Sequence, residues 1–344
     1  MPIKTRVLTK ERVADEGLSS SATLQRPARR AILWIAGNMK KLLKVATRRR
    51  SRRVTLVRLT FLLPLLIYVC IFFGYPLWYS IQVSLENYDL QAEITGVAAF
   101  VGVSNYIADF NNPVFASAAL QTLLFTVLSI VPQFLIGLTL AVFFSRRFPL
   151  SRLLRALFLL PWLLPLIVSG TIWKWLFNET NGLIDQVLSA IHLVPAHFSW
   201  LTEPGWALVA LIFINIWLGI PFNMVILYSG LQGIPQEFYE AAAIDGAGKW
   251  QRFRYITLPM LQPVIGIVLM LGFIYTMKVF DIIWIITQGG PANATQTFST
   301  WSYTLSFSDQ VFGQGAAQAN MILLISLIAA LFYLWWSRRS TQWI

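Results

Sequence analysis

Six apolar stretches, each long enough to cross a lipid bilayer, constrain this chain more than any other feature. They lie at about 59–82, 118–144, 156–177, 206–229, 260–286 and 316–336, and a crossing helix needs about 20 mainly apolar residues. Within hydrocarbon every backbone N–H and C=O must be satisfied inside the segment, so runs of this length imply helices. The expected fold class is all-α, a polytopic membrane protein with six transmembrane helices. Only 12% of the 344 residues are charged, against roughly a quarter in soluble domains. Pro64, Pro76, Pro132, Pro161, Pro165 and Pro221 fall inside the runs. Membrane helices tolerate proline where neighbouring helices or a cavity satisfy the freed backbone groups.

Charge between the runs sets an expected orientation. The segments 145–155, 230–257 and 337–344 carry Arg146, Arg147, Arg152, Arg155, Lys249, Arg252, Arg254, Arg338 and Arg339. The alternate segments 83–117, 178–205 and 287–315 contain no Lys or Arg. Positive loops stay inside, which puts both termini in the cytoplasm and agrees with an even number of spans.

The net charge of +12 does not point to nucleic acid, because 16 of the 27 Lys and Arg precede residue 59. Basic clusters flanking apolar runs fix topology and contact lipid headgroups. Residues 1–53 are expected to form a basic cytoplasmic extension, separate from a transmembrane domain at 54–344. Its first 30 residues are polar and expected to be disordered. Ile32, Ile35, Met39, Leu42 and Leu43 then recur at helical spacing opposite Lys40, Lys41 and Lys44, the pattern of an amphipathic helix on the inner leaflet.

No catalytic constellation is legible. Cys70 is the single cysteine, and His192 and His197 lie in a loop with no obvious metal-binding partners. The run Gly246-Ala247-Gly248-Lys249-Trp250 fails as a phosphate loop, since Ala243 and Trp250 stand where Gly and Ser or Thr are needed. No metal or cofactor is expected in this chain.

The loop at 230–259 is the most informative stretch. It begins Gly230-Leu231-Gln232-Gly233-Ile234-Pro235. It continues through Glu240-Ala241-Ala242-Ala243-Ile244-Asp245-Gly246-Ala247 to Ile256-Thr257-Leu258-Pro259. Pro235 suits a first helical position, Glu237 the positive end of the helix dipole and Gly246 the C-terminal stop. These predict a short Ala-rich helix over 235–245 whose small residues allow close approach by another protein. Glu240-Ala241-Ala242, Gly246, Ile256 and Leu258-Pro259 match every position and gap of the EAA motif, and the loop resembles that of permeases of binding-protein-dependent ABC importers. Asp245-Gly246-Ala247 and Thr287-Gln288-Gly289-Gly290-Pro291 resemble the carbohydrate branch, the maltose and glycerol-phosphate type.

The resemblance covers residues from about 55 to the C-terminus. It implies the type I importer permease fold in a bacterial inner membrane. It also implies a second homologous permease, two ATPase subunits that bind ATP and Mg, and a periplasmic or lipid-anchored solute-binding protein. Glu240, Ala241, Ala242, Asp245, Gly246 and Ala247 would then form the coupling helix that docks on an ATPase. The resemblance to maltose permeases puts solute contacts at Asn215, Leu218, Gly219 and Phe222, at Gly272, Tyr275, Thr276 and Val279, and at Trp162 and Leu166. Each group of four is spaced i, i+3, i+4, i+7, one stripe on one helical face. Amide, hydroxyl and aromatic groups suit a polyol, although close-packed helices use small residues too. Lys278 and Asp281, three apart, are expected to pair on one face of the fifth span. A secondary transporter or a membrane-anchoring protein would lack the EAA loop.

Overall fold

A computed structural model describes residues 60–146 and 148–340. The basic segment 1–53, with its expected surface helix, lies outside them. The chain divides into two compact units, Met1–Pro76 and Leu77–Ile344. In the first, the described residues are helical and all exposed, Phe61, Phe72 and Phe73 among them. They begin α1 (Thr60–Ser84), an uninterrupted apolar helix of 25 residues with a π-helical turn at Cys70–Gly74.

In the second unit a two-residue antiparallel ladder pairs Glu86–Asn87 with Ala99–Phe100. Between its strands stands α2 (Leu90–Thr95), capped by the Asp89 carboxylate, which accepts from the Ala92 N–H at 2.8 Å. The short α3 (Ser104–Asn111) leads into α4 (Pro113–Phe144). The Asn112 side chain accepts from the Val114 N–H at 2.9 Å, and Pro113 starts the helix. Cap and proline together satisfy or remove N–H groups that would otherwise go unpaired. Next come α5 (Ser151–Leu163), α6 (Leu166–Leu176), α7 (Leu183–Ala190) and α8 (Pro204–Gln232). Then follow α9 (Gln236–Ile244), α10 (Lys249–Arg252), α11 (Leu258–Met277), α12 (Asp281–Ile286), α13 (Phe298–Tyr303) and α14 (Phe312–Ser340).

The core is built on α4 and α8. Phe125 packs with Leu211, Ile214 and Leu218, and with Ile282 and Ile283 of α12. Gly137 lies so close to Asn223 that a Cβ there would overlap it. Lipid gives no hydrophobic drive for helices to associate, so close approach at small residues supplies the contact. A second cluster joins Ala118 and Met277 to Phe298, Trp301 and Ile322.

One expected span is sharply bent, and the fifth, Lys249–Ile286, is a single candidate span with a short non-helical interruption. Residues 151–176 form the pair α5 and α6, bent by 92°. Leu164 precedes proline and is extended (φ −72°, ψ 139°), because the Pro165 ring disfavours a helical residue before it. The fifth span stops at Lys278 (φ −98°, ψ 8°) and restarts at Asp281. The expected Lys278–Asp281 pair is therefore not on one continuous face. The Lys278 ammonium lies over the Tyr275 ring at 5.1 Å, and among the described residues no ion pair joins it to Asp281. Each charge instead suits its own helix end, the cation at the C-terminus of α11 and the carboxylate at the N-terminus of α12. The two half-spans α6 and α12 pack together: Lys174 Nζ donates to the Ile285 carbonyl at 3.1 Å, and Gly170 abuts Ile285 and Ile282.

Candidate functional site

The stripes expected on the fourth and fifth spans converge on one cavity of about 360 Å³, within the range typical of small-molecule sites. Asn215, Leu218, Gly219 and Phe222 of α8 form one wall. Gly272, Tyr275 and Thr276 of α11, with Val279, form the other. Trp162 and Leu166, on either side of the α5–α6 bend, complete it.

Three aromatic rings meet at Phe222, whose centroid is 6.1 Å from Trp162 and 5.8 Å from Tyr275, the latter edge-on. Edge-to-face rings hold each other in place while leaving a face for another group. Asn215 is 8% exposed, and its side-chain amide nitrogen has no hydrogen-bond partner. A buried amide donor without an acceptor is costly, so this lining residue keeps an unpaired polar group just behind the cavity surface. Gly272 is not required by helix packing, because a Cβ there would meet only Ile130, at 4.0 Å. Its missing side chain keeps the wall open. Gly219 differs: a Cβ there would run into the Gln133 carboxamide. Gln133 thus fills the space beside the Gly219 Cα, and the missing side chain serves helix packing there.

Asp281, expected only as the partner of Lys278, also lines the cavity, as do Gln133, Asn223 and Ile282, which were not anticipated. Gln133 Nε2 donates to the Asn215 carbonyl at 2.8 Å; Asn223 Nδ2 donates to the Gly219 carbonyl at 2.8 Å. One signal was available for both. An amide within an otherwise apolar span is expected to face protein or a cavity rather than lipid.

The loop after α8 folds into α9, with Glu240, Ala241, Ala242 and the residues that end it. Pro235 is extended (φ −60°, ψ 135°) and precedes the helix, so it caps α9 rather than opening it as expected. At the other end Gly246 is left-handed (φ +79°). Its N–H donates to the Ala243 carbonyl at 3.1 Å, and that of Ala247 to Ala242 at 2.8 Å. This is the Schellman arrangement, in which a residue at positive φ closes the helix. Asp245 is the last residue before that turn. Glu240 is exposed, and so are the apolar side chains of Phe238, Ile244 and Trp250, Ile244 at 87%. The helix is tethered from behind by a 2.9 Å hydrogen bond between the Tyr239 and Thr257 hydroxyls.

Residues 133–342 match the model of the family described as binding-protein-dependent transport system inner membrane component. The chain is 34% identical over 268 residues to the trehalose/maltose transport system permease protein of Thermococcus litoralis, covering 77% of this chain and 88% of that one. It is 31% identical over 283 residues to a probable ABC transporter permease protein of Pyrococcus horikoshii, covering 82% and 96%. Among solved structures it is similar to a chain of a bacterial ABC transporter involved in import of the acidic polysaccharide alginate. The TM-score is 0.71 at 23% identity, covering 83% of this chain and 96% of that one; this likeness bears on the fold.

Proposed function

The chain belongs to the family of binding-protein-dependent transport system inner membrane components, and on that premise we propose that it passes a sugar or sugar-like solute through the cavity between α8 and α11. The observation that carries this reading is the convergence of both stripes, with Trp162 and Leu166, on one space. Aromatic rings pack against the C–H faces of a sugar, while amide and hydroxyl groups bond its hydroxyls. The relatives named for sugar transport favour the same class.

On this reading the chain is a permease subunit without an ATPase of its own. It spans the inner membrane with both termini in the cytoplasm. It pairs with a second permease and receives solute from a binding protein. ATP and Mg bind two partner ATPase subunits, one of which docks on α9 through Glu240 and the exposed apolar side chains beside it. Closure of the ATPases moves α9 and switches the pathway between inward- and outward-facing states.

The test is transport and ATP hydrolysis by the assembled complex carrying Asn215→Ala or Phe222→Ala. Solute contact predicts a fall in transport of tenfold or more, about 1.4 kcal/mol, while loaded binding protein still stimulates ATP hydrolysis. Normal transport at all solute concentrations, or loss only through failed assembly, would mean that the stripes are packing faces.

A further inference from the structure

A second cavity, of about 560 Å³, opens between α9, the adjoining ends of α4 and α8, and α10 with the turn that follows it. Its wall brings together Arg146, just past the end of α4, and Lys249 and Arg252, one turn apart on α10. Gln236 and Tyr239 of α9 and Thr257, at the start of the fifth span, supply polar groups between them. Among the described residues no Asp or Glu lines this space. Cations at this end of the bundle are ordinary topology determinants. That role asks only that they lie in the loop, however. It does not ask that three of them converge on one concave wall among amides and hydroxyls. Like charges gathered without a counter-charge repel, and an anion with several acceptor oxygens would relieve that repulsion through charge-assisted hydrogen bonds.

We propose that this cavity binds a phosphate-bearing anion, which joins the ends of α4 and α10 behind the coupling helix. The site is independent of the solute cavity. Tyr239 lies both on its wall and in the hydroxyl pair that tethers α9. Occupancy therefore stiffens the element expected to transmit ATPase motion. A headgroup of an anionic phospholipid and a free phosphorylated solute offer the same chemistry, and the experiment separates them.

The full chain, purified in neutral detergent, is followed by thermal unfolding at constant ionic strength. In one arm phosphatidylglycerol is titrated into phosphatidylcholine mixed micelles; in the other, inorganic phosphate replaces chloride. The proposal expects a rise in the unfolding midpoint in at least one arm. Each of Arg146→Gln, Lys249→Gln and Arg252→Gln should move that titration to roughly fivefold higher anion concentration, the worth of one basic residue near an anionic surface. Arg254→Gln removes the same charge outside the cavity and should leave the titration in place. A response to phosphatidylglycerol alone assigns a lipid; a response to inorganic phosphate assigns a free anion. The proposal is overturned if neither arm exceeds the chloride control, or if the three variants respond like wild type. It is equally overturned if both arms stay flat while the variants lose co-purifying ATPase subunit, which would make these cations a subunit contact.

Discussion

Asp109 of α3 is 1% exposed, and neither of its carboxylate oxygens has a hydrogen-bond partner. Burial pushes its pKa up to about 7 from an ordinary 3.8, since a desolvated carboxyl resists ionisation. The folded protein therefore holds a proton that the unfolded chain releases. Its contribution to stability is full below pH 4 and is lost as pH rises through about 7. Wild type should accordingly lose thermal stability between pH 5 and pH 8, and Asp109→Asn should flatten that slope; thermal unfolding across the range checks both. Nothing in the spacing of 83–117 marks this carboxyl as buried, because its setting depends on helices far away in sequence. Asn215 and Phe222 are the contrasting case. Their spacing of seven on a long apolar run is enough to place them on one helical face. Gln133 was missed although a signal was there: Thr122, Thr126, Ser129 and Gln133 recur at helical spacing on α4, and all four are buried.

At the scale of elements, α9 shows what sequence chemistry settles and where it stops. The glycine at its C-terminal end was legible, because only a residue tolerant of positive φ closes a helix in this way. The start was misread by one position, since Pro235 fits the residue before a helix as well as its first turn. A Cβ at Gly246 would meet nothing within 4 Å, so the cost of substitution there is conformational, roughly 1–2 kcal/mol. Gly246→Val should strain the end of α9 and cut uptake at least tenfold at equal membrane abundance. Gly246→Asn, which tolerates the left-handed region better, should retain more. Uptake assays on both variants, with immunoblots for membrane level, make the comparison; equal uptake by Val and wild type would remove Gly246 from any coupling role. The interrupted spans were harder to foresee. Pro161 and Pro165 were visible as interruptions, but hydropathy averages over a bend, and a window of apolar residues reads alike in a straight helix and a folded-back pair.

For the whole molecule, the sharpest expectation is the sidedness set by the loops without Lys or Arg. Ser104, Thr180 and Gln251 are all exposed. In a Cys70→Ser background, single cysteines at Ser104 and Thr180 should react with an impermeant thiol reagent added to intact cells. A cysteine at Gln251 should react only after the cells are opened, and its labelling from outside would invert the orientation. The two interrupted spans share one boundary. Trp162 and Leu166 flank one interruption, while Thr276 and Asp281 flank the other, and all four face the same space. Beyond the interruptions, α6 and α12 are fastened to each other through Lys174 and Gly170. Both helices also pack on α8, Trp173, Ile282 and Ile283 lying in one buried cluster with Ile212, Ile214 and Leu218. The interruptions therefore shape the wall of the chamber while its outer layer stays locked to the helix that carries Asn215 and Phe222.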